Sequence, residues 1–178
     1  PTAKGQLFGL EGAVLLQPEG TVIAQFAELS RIVRRSARTV VVAGDLMVPR
    51  VALAPIADDG RAPTTALVTP DPEGLMTVRH HTVVSAGSSF HDVRFPSHDS
   101  IGALVIAPSD ASQAAAAIDD LCQACASGEV TVGQDQAFDA LLVALVRNGV
   151  TVRATDIVDV PWARGSGRDD VASVIESE

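Results

Sequence analysis

Short apolar runs alternate with helical periodicity along the whole chain. Val22, Phe26, Leu29 and Val33 recur at i, i+4, i+7 and i+11, which predicts one helix with a single apolar face. The run Val40-Val41-Val42-Ala43 reads as a buried strand that stops at Gly44-Asp45, with a short helix from Pro49 to Ala57. Before them, Ala13 to Leu16 suggests a strand and Pro18-Glu19-Gly20 a turn. Thr64 to Thr69 is β-prone and closes on the turn cluster Pro70-Asp71-Pro72-Glu73-Gly74. Leu75 to Val84 is strand-like, Ser85 to Ser100 irregular, and Ile101 to Ala107 a buried strand. A helix capped by Ser109 or Asp110 runs to Ala126 with Gly128 past its end. Phe138, Leu141, Leu142 and Leu145 mark another, ended by Gly149. Val150 to Ala154 is the last clear strand, and Asp169 to Ile175 a final short helix. Without repeats or a dividing linker, residues 1–178 read as a single α/β domain.

Charge then removes one class of partner. Thirteen basic residues against 22 acidic give a net charge of −9, and only Lys4 is a lysine. A nucleic-acid backbone would be repelled, and five Phe, Trp162 and no Tyr leave little stacking surface, so no nucleic-acid partner is expected. No apolar run approaches the roughly 18 residues of a membrane span. The chain starts at Pro1 and reads as a cytoplasmic piece of a longer protein, with any membrane tether in a domain absent from it. Arg31, Arg34, Arg35 and Arg38 gather near the end of the first helix, where they complement its dipole; a solvated face is the simpler reading than a phosphate patch. Cys122 and Cys125 form a C-x-x-C inside an Ala-rich helix, on the face of Ile118 and Leu121, which favours core thiols over a redox pair.

Three constellations could carry chemistry. Asp45 at a strand end beside Gly44 could hold a divalent cation bearing nucleotide phosphates, or could simply cap a helix; both readings stay open. His80, His81, His91 and His98 crowd a short stretch, and His80, His91 and His98 would be the ligands of a metal module. The spacing lacks a helical His pair, and His80 and His81 would point to opposite faces of a strand. Ser85-Ala86-Gly87-Ser88-Ser89 could offer backbone N–H groups to an anion, but without a following Lys or helix. His91-Asp92 could orient a substrate hydroxyl. No G-x-S-x-G nucleophile elbow is present.

The strand-Gly-Asp-x-x-x-Pro arrangement, the strand Ser100 to Ile106 and the segment Trp162 to Asp170 together resemble the sugar-nucleotidyltransferase fold, in its MobA-like and cytidylyltransferase-like group. More narrowly, Val83 to Val93, Val150 to Ala154 and Pro161-Trp162-Ala163-Arg164 resemble the region ahead of the membrane domain in actinobacterial CDP-alcohol phosphatidyltransferase proteins. The resemblance implies a three-layer, Rossmann-like (GT-A-like) α/β fold with a mostly parallel sheet and helices on both faces. It implies Asp45 as the ligand of a magnesium ion that bridges nucleotide phosphates.

The departures shape the functional expectation. Where the family has a Gly-rich loop with a basic residue, this chain has Leu16-Gln17-Pro18-Glu19-Gly20, and Glu19 would repel phosphates. The family's second metal carboxylate follows a Trp, whereas Trp162 is followed by Ala163 and Arg164, so Asp156, Asp159 or Asp169 would have to substitute. The distance from the first strand to Asp45 is short for the complete fold, as if an upstream unit had been cut away or lost. Losing charge stabilisation removes most of the basis for nucleotidyl transfer. The expectation is a degenerate nucleotidyltransferase-like domain of a CDP-alcohol phosphatidyltransferase, serving binding or regulation. Its catalytic positions would be Asp45, His91 and Asp92, its nucleotide-binding positions Gly44, Gly87 and Ser88, and its magnesium ligands Asp45, Asp156 and Asp159. A nucleotide or CDP-alcohol is the expected ligand, and a homodimer is compatible with the sequence. The alternatives are an active magnesium-dependent cytidylyltransferase acting on a sugar or polyol phosphate, and the His-based metal module.

Overall fold

The computed structural model describes residues 3–7, 10–14, 21–44, 46–48, 53, 56, 61–158, 160 and 162–164. The helix anticipated from Val22 is α1, Val22–Arg35. It starts where the Ala24 amide donates to the Thr21 side chain and ends with Arg34 and Arg35 in its last turn. Its buried residues are Val22, Phe26, Leu29, Ser30 and Val33, the apolar stripe plus one serine. The other long helices are α2, Ala111–Ala126, and α3, Ala137–Arg147. Gly128 and Gly149 follow them in left-handed conformation. Asp110 occupies the cap position of α2 without capping it. Its carboxylate instead accepts from buried Thr64 Oγ1 at 2.6 Å.

Among the described residues there are eight strands besides the small pair β4, Leu46–Met47, and β10, Ala163–Arg164. They are β1, Ala3–Leu7; β2, Leu10–Val14; β3, Thr39–Val42; β5, Thr65–Pro70; β6, Met76–Arg79; β7, Thr82–Ala86; β8, His98–Ile106; and β9, Arg153–Asp156. The first two form a separate antiparallel hairpin, so the strand expected at Ala13 begins at Leu10 and lies outside the main sheet. The main sheet has the order β3-β8-β5-β9-β7-β6, and β6 also reaches β8 through the pair Met76↔His98. The strands β8, β5, β9, β7 and β6 are therefore joined in a closed ring of pairings, with β3 attached at its outside.

The expected mostly parallel sheet is corrected here to a mixed one. Of its described pairings only β5 with β9 is parallel. A two-residue turn can join only antiparallel strands, and β6 and β7 are joined in that way. The turn residues are His80 and His81, with φ of 50° and 57°. Positive φ at both central residues is the type I′ geometry that Asn-Gly adopts most readily, and it costs a β-branched-free but bulky residue about 1 kcal/mol or more. The uninterrupted strand anticipated from Leu75 to Val84 is thus a hairpin, and its two histidines are turn residues.

Alternation across β5 and β8 splits the core in two. Ala66, Val68, Leu104 and Ile106 join the cluster under α1, α2 and α3. Leu67, Ala103 and Val105 join a smaller one with Ile101, Ile157 and the helical residues Leu53 and Ile56, packed by Leu46, Val48, Val160 and Trp162. Within β8, Gly102 has φ of 92°, and the β5–β8 register shifts between Ala66 and Val68. A glycine bulge there leaves the Gly102 carbonyl to accept from Ala43 N–H at 2.7 Å, tying down the exit of β3. The anticipated final helix from Asp169, and the turn at Pro18, lie outside the described residues. No helix among the described residues is long and apolar enough to cross a membrane.

Candidate functional site

Strand direction decides what meets at the end of the sheet. Both β3 and β5 are antiparallel to β8, and β9 is parallel to β5, so β3, β5 and β9 run the same way. Val42 at the end of β3 is level with Ala103 on β8, and Val68 is level with both Ser100 on β8 and Asp156 on β9. The carboxyl ends of β3 and β9 therefore open on the same side, where ligands of α/β folds collect. The apolar strand leading to Gly44 is present as anticipated, but it lies at the outside of the strand order and in an antiparallel pair. Gly44 is an exposed turn residue, and Asp45 and Asp159 lie outside the described residues.

Immediately after this turn comes β4, Leu46–Met47, which pairs antiparallel with β10, Ala163–Arg164. The register sets Ala163 opposite Met47 and Arg164 opposite Leu46. Trp162, next to β10 in sequence, packs on the same core cluster as Leu46 and Val48. The two stretches singled out in the sequence, Gly-Asp after a strand and Trp162 near the end, are thus brought together by a short ladder.

Asp156 has a different neighbour. Its Oδ1 lies 3.2 Å from His98 Nε2, and His98 Nδ1 lies 2.8 Å from Ser97 Oγ, which accepts from Val78 N–H at 3.1 Å. This Ser97–His98–Asp156 chain was not legible in sequence, because it depends on β8 and β9 both being in register with Val68. Asp99, the residue after His98, points its Oδ1 at the amides of Ser100 (2.9 Å) and Leu75 (3.4 Å).

The Gly-Ser run is not an anion cradle. Gly87 N–H donates to Leu75 O at 2.7 Å and Ser88 N–H to His91 O at 2.9 Å, so the amides that would have faced a phosphate are spent within the chain. His91 returns its own N–H to Ser88 O at 3.2 Å, closing a tight turn. The side chains of His91 and Asp92 have no polar partner among the described residues, and Asp92 is exposed. Among the described residues no three His, Cys, Asp or Glu side chains form a group that could hold a metal, so His80, His91 and His98 are not assembled as one. The arginines at and just past the end of α1 are engaged in part: Arg31 pairs with Glu28, Arg34 with Asp119, and Arg38 donates to Ile56 O at 2.8 Å. Cys122 and Cys125 are free thiols, half-buried against the larger core.

The mixed sheet, with three helices on one face and a small ladder beside the exit of β3, is a nucleotidyltransferase-like fold. It is similar to CTP:phosphocholine cytidylyltransferase from Streptococcus pneumoniae, with a TM-score of 0.58 and 13% identity over 85% of this chain and 62% of that one. It is also similar to the inositol-1-phosphate CTP transferase from T. maritima, with a TM-score of 0.53 and 18% identity over 89% of this chain and 60% of that one. The chain thus spans about three fifths of the length of each. No protein-family model and no curated protein matches the sequence.

Proposed function

We propose that this chain is a nucleotidyltransferase-like domain that binds a cytidine nucleotide or CDP-alcohol at the end of β3 without turning it over, and that it serves binding or regulation beside a CDP-alcohol phosphatidyltransferase. The observation that carries the reading is the β4–β10 ladder, which sets Arg164 in register beside Leu46, the residue that follows Asp45. A transferase of this kind needs a second carboxylate after its Trp, and a cation at that point in the chain does not supply one. Glu19 in place of a basic triphosphate-binding residue argues the same way. The membrane-enzyme association is supported by the resemblance of Val83 to Val93 and of Pro161 to Arg164.

Magnesium, held by Asp45 with Asp156 or Asp159, is the cofactor a bound nucleotide would bring. Of the expected magnesium ligands Asp45, Asp156 and Asp159, only Asp156 is among the described residues, and its Oδ1 lies 3.2 Å from His98 Nε2. Calorimetric titration with CTP and CDP, with and without magnesium, paired with an assay of pyrophosphate release in the presence of phosphocholine or inositol 1-phosphate, tests the proposal. Binding without pyrophosphate is expected. Release of pyrophosphate that Asp45→Ala abolishes would establish an active enzyme instead, and absence of any nucleotide binding would remove the nucleotide reading.

A further inference from the structure

All the non-glycine residues with positive φ among the described residues, His80, His81 and Phe95, belong to one small region. The two histidines form the tip of the β6–β7 hairpin. Phe95 lies in the loop beside it, held there because Thr77 Oγ1 on β6 donates to Phe95 O at 3.0 Å and to Arg94 O at 3.2 Å. Strained backbone persists where the surrounding structure fixes it, and it gathers where side chains are displayed for use.

What this region displays is a mixture of arginine, histidine and apolar side chains. Arg79, His80, His81 and Arg94 are exposed, and none has an ion-pair partner among the described residues. Phe95 is 81% exposed and Val84 48%. Of the four exposed large apolar side chains among the described residues, Leu75, Val84 and Phe95 all belong to this hairpin and its flanking segments. The hairpin has no acidic residue, and Asp92 is the only one in the adjoining loop 87–97.

We propose that this edge docks peripherally on an anionic phospholipid surface. Arginines and histidines would meet headgroup phosphates, while the Phe95 ring and Val84 would enter the boundary with the acyl chains. A two-residue turn encloses no cavity for a small anion, and isolated charge would not call for an exposed aromatic ring. The net charge of −9 does not prevent this, since charges farther than about 8–10 Å from the surface are screened at ordinary salt. The inference is independent of whether the β3 end binds nucleotide.

Flotation with vesicles of phosphatidylcholine alone, or of phosphatidylcholine mixed with phosphatidylglycerol, tests it on the full chain. Binding is expected to the mixed vesicles at low salt and to be lost at high salt. Arg79→Gln should weaken it about fivefold, and Phe95→Gly about tenfold. Because glycine accepts the backbone conformation of Phe95, that variant keeps the fold, which its melting temperature verifies. His80→Asn with His81→Gly relaxes the turn and should raise the melting temperature while weakening binding. Equal binding to both vesicle types, binding to neither, or affinity unchanged in Arg79→Gln and Phe95→Gly would each overturn the proposal. So would retention by RNA or an acidic peptide in place of vesicles.

Discussion

His98 on β8 and Asp156 at the end of β9 face each other across β5, 3.2 Å apart between Nε2 and Oδ1, although no strand pairing joins their two strands directly. The contact bridges strands that otherwise meet through β5, whose Thr65, Ala66 and Val68 each pair with both. Asp156→Ala is expected to lower stability by about 0.5–1 kcal/mol, the range for a hydrogen-bonded pair that water still reaches. Urea denaturation measures it, and Asp156→Asn, which can still accept a hydrogen bond, should recover part of the loss.

Gly74 passes directly under the start of the same strand. A Cβ on it would stand 2.2 Å from His98 O and 2.8 Å from Asp99 N, both backbone atoms that cannot step aside. Gly74→Ala should therefore cost about 3 kcal/mol. A shift of the urea midpoint by less than a third of that amount would show that the β5–β6 connection yields more easily than its packing suggests.

Between α1 and α2, buried Ser30 donates to Asp119 Oδ1 at 2.5 Å, and Arg34 pairs with the other carboxylate oxygen. The hydrogen bond from Ser30, and then the Arg34 guanidinium, hold the Asp119 carboxyl below the ordinary aspartate value. A depressed folded pKa stabilises above the unfolded value, near 3.9, and that stabilisation is lost as pH falls through the lower folded value. Ser30→Ala should cost about 1–2 kcal/mol at neutral pH and flatten the dependence of the melting temperature below pH 4.

Cys122 and Cys125 lie one helical turn apart with their thiols partly withdrawn from water, and burial pushes both above the ordinary thiol value. For Cys122 the Asp119 carboxylate adds to the effect. Less thiolate at neutral pH means slower alkylation. Iodoacetamide is expected to modify both more slowly in the folded chain than in urea; equal rates would mean the helix does not shelter them.

The helices were legible because a period of 3.6 is a local property. Val22, Phe26, Leu29 and Val33 carry it without help from the rest of the chain, and all four are buried. Asp110 was legible as a cap position, but a nearby buried hydroxyl on Thr64 competes for its carboxylate and wins. The β6–β7 hairpin was hidden because its turn uses two histidines where Asn-Gly is the usual signal, leaving an unbroken strand pattern. Sheet direction was hidden because pairing is non-local: Val40 to Val42 look alike in a parallel or an antiparallel ladder. The Gly-Ser run was misleading for a related reason, since whether Gly87 and Ser88 amides are free depends on Leu75 and His91 carbonyls arriving opposite them. Of the candidate site, the strand-end turn and the Trp162 segment were each legible in the sequence, while the short ladder between β4 and β10 and the Ser97–His98–Asp156 chain awaited the fold.

Ring closure through Met76 and His98 leaves a topological asymmetry. Each of the other five strands of the main sheet pairs with at least two neighbours, β6 with β8 and β7 with β9 through one residue pair each, whereas Thr39–Val42 pairs on one flank among the described residues. That segment is Thr-Val-Val-Val, with no charge to discourage company. Enlargement of the sheet, whether by another stretch of polypeptide or by a neighbouring molecule, can begin at the other flank of this strand, which adjoins the turn on which the nucleotide proposal rests.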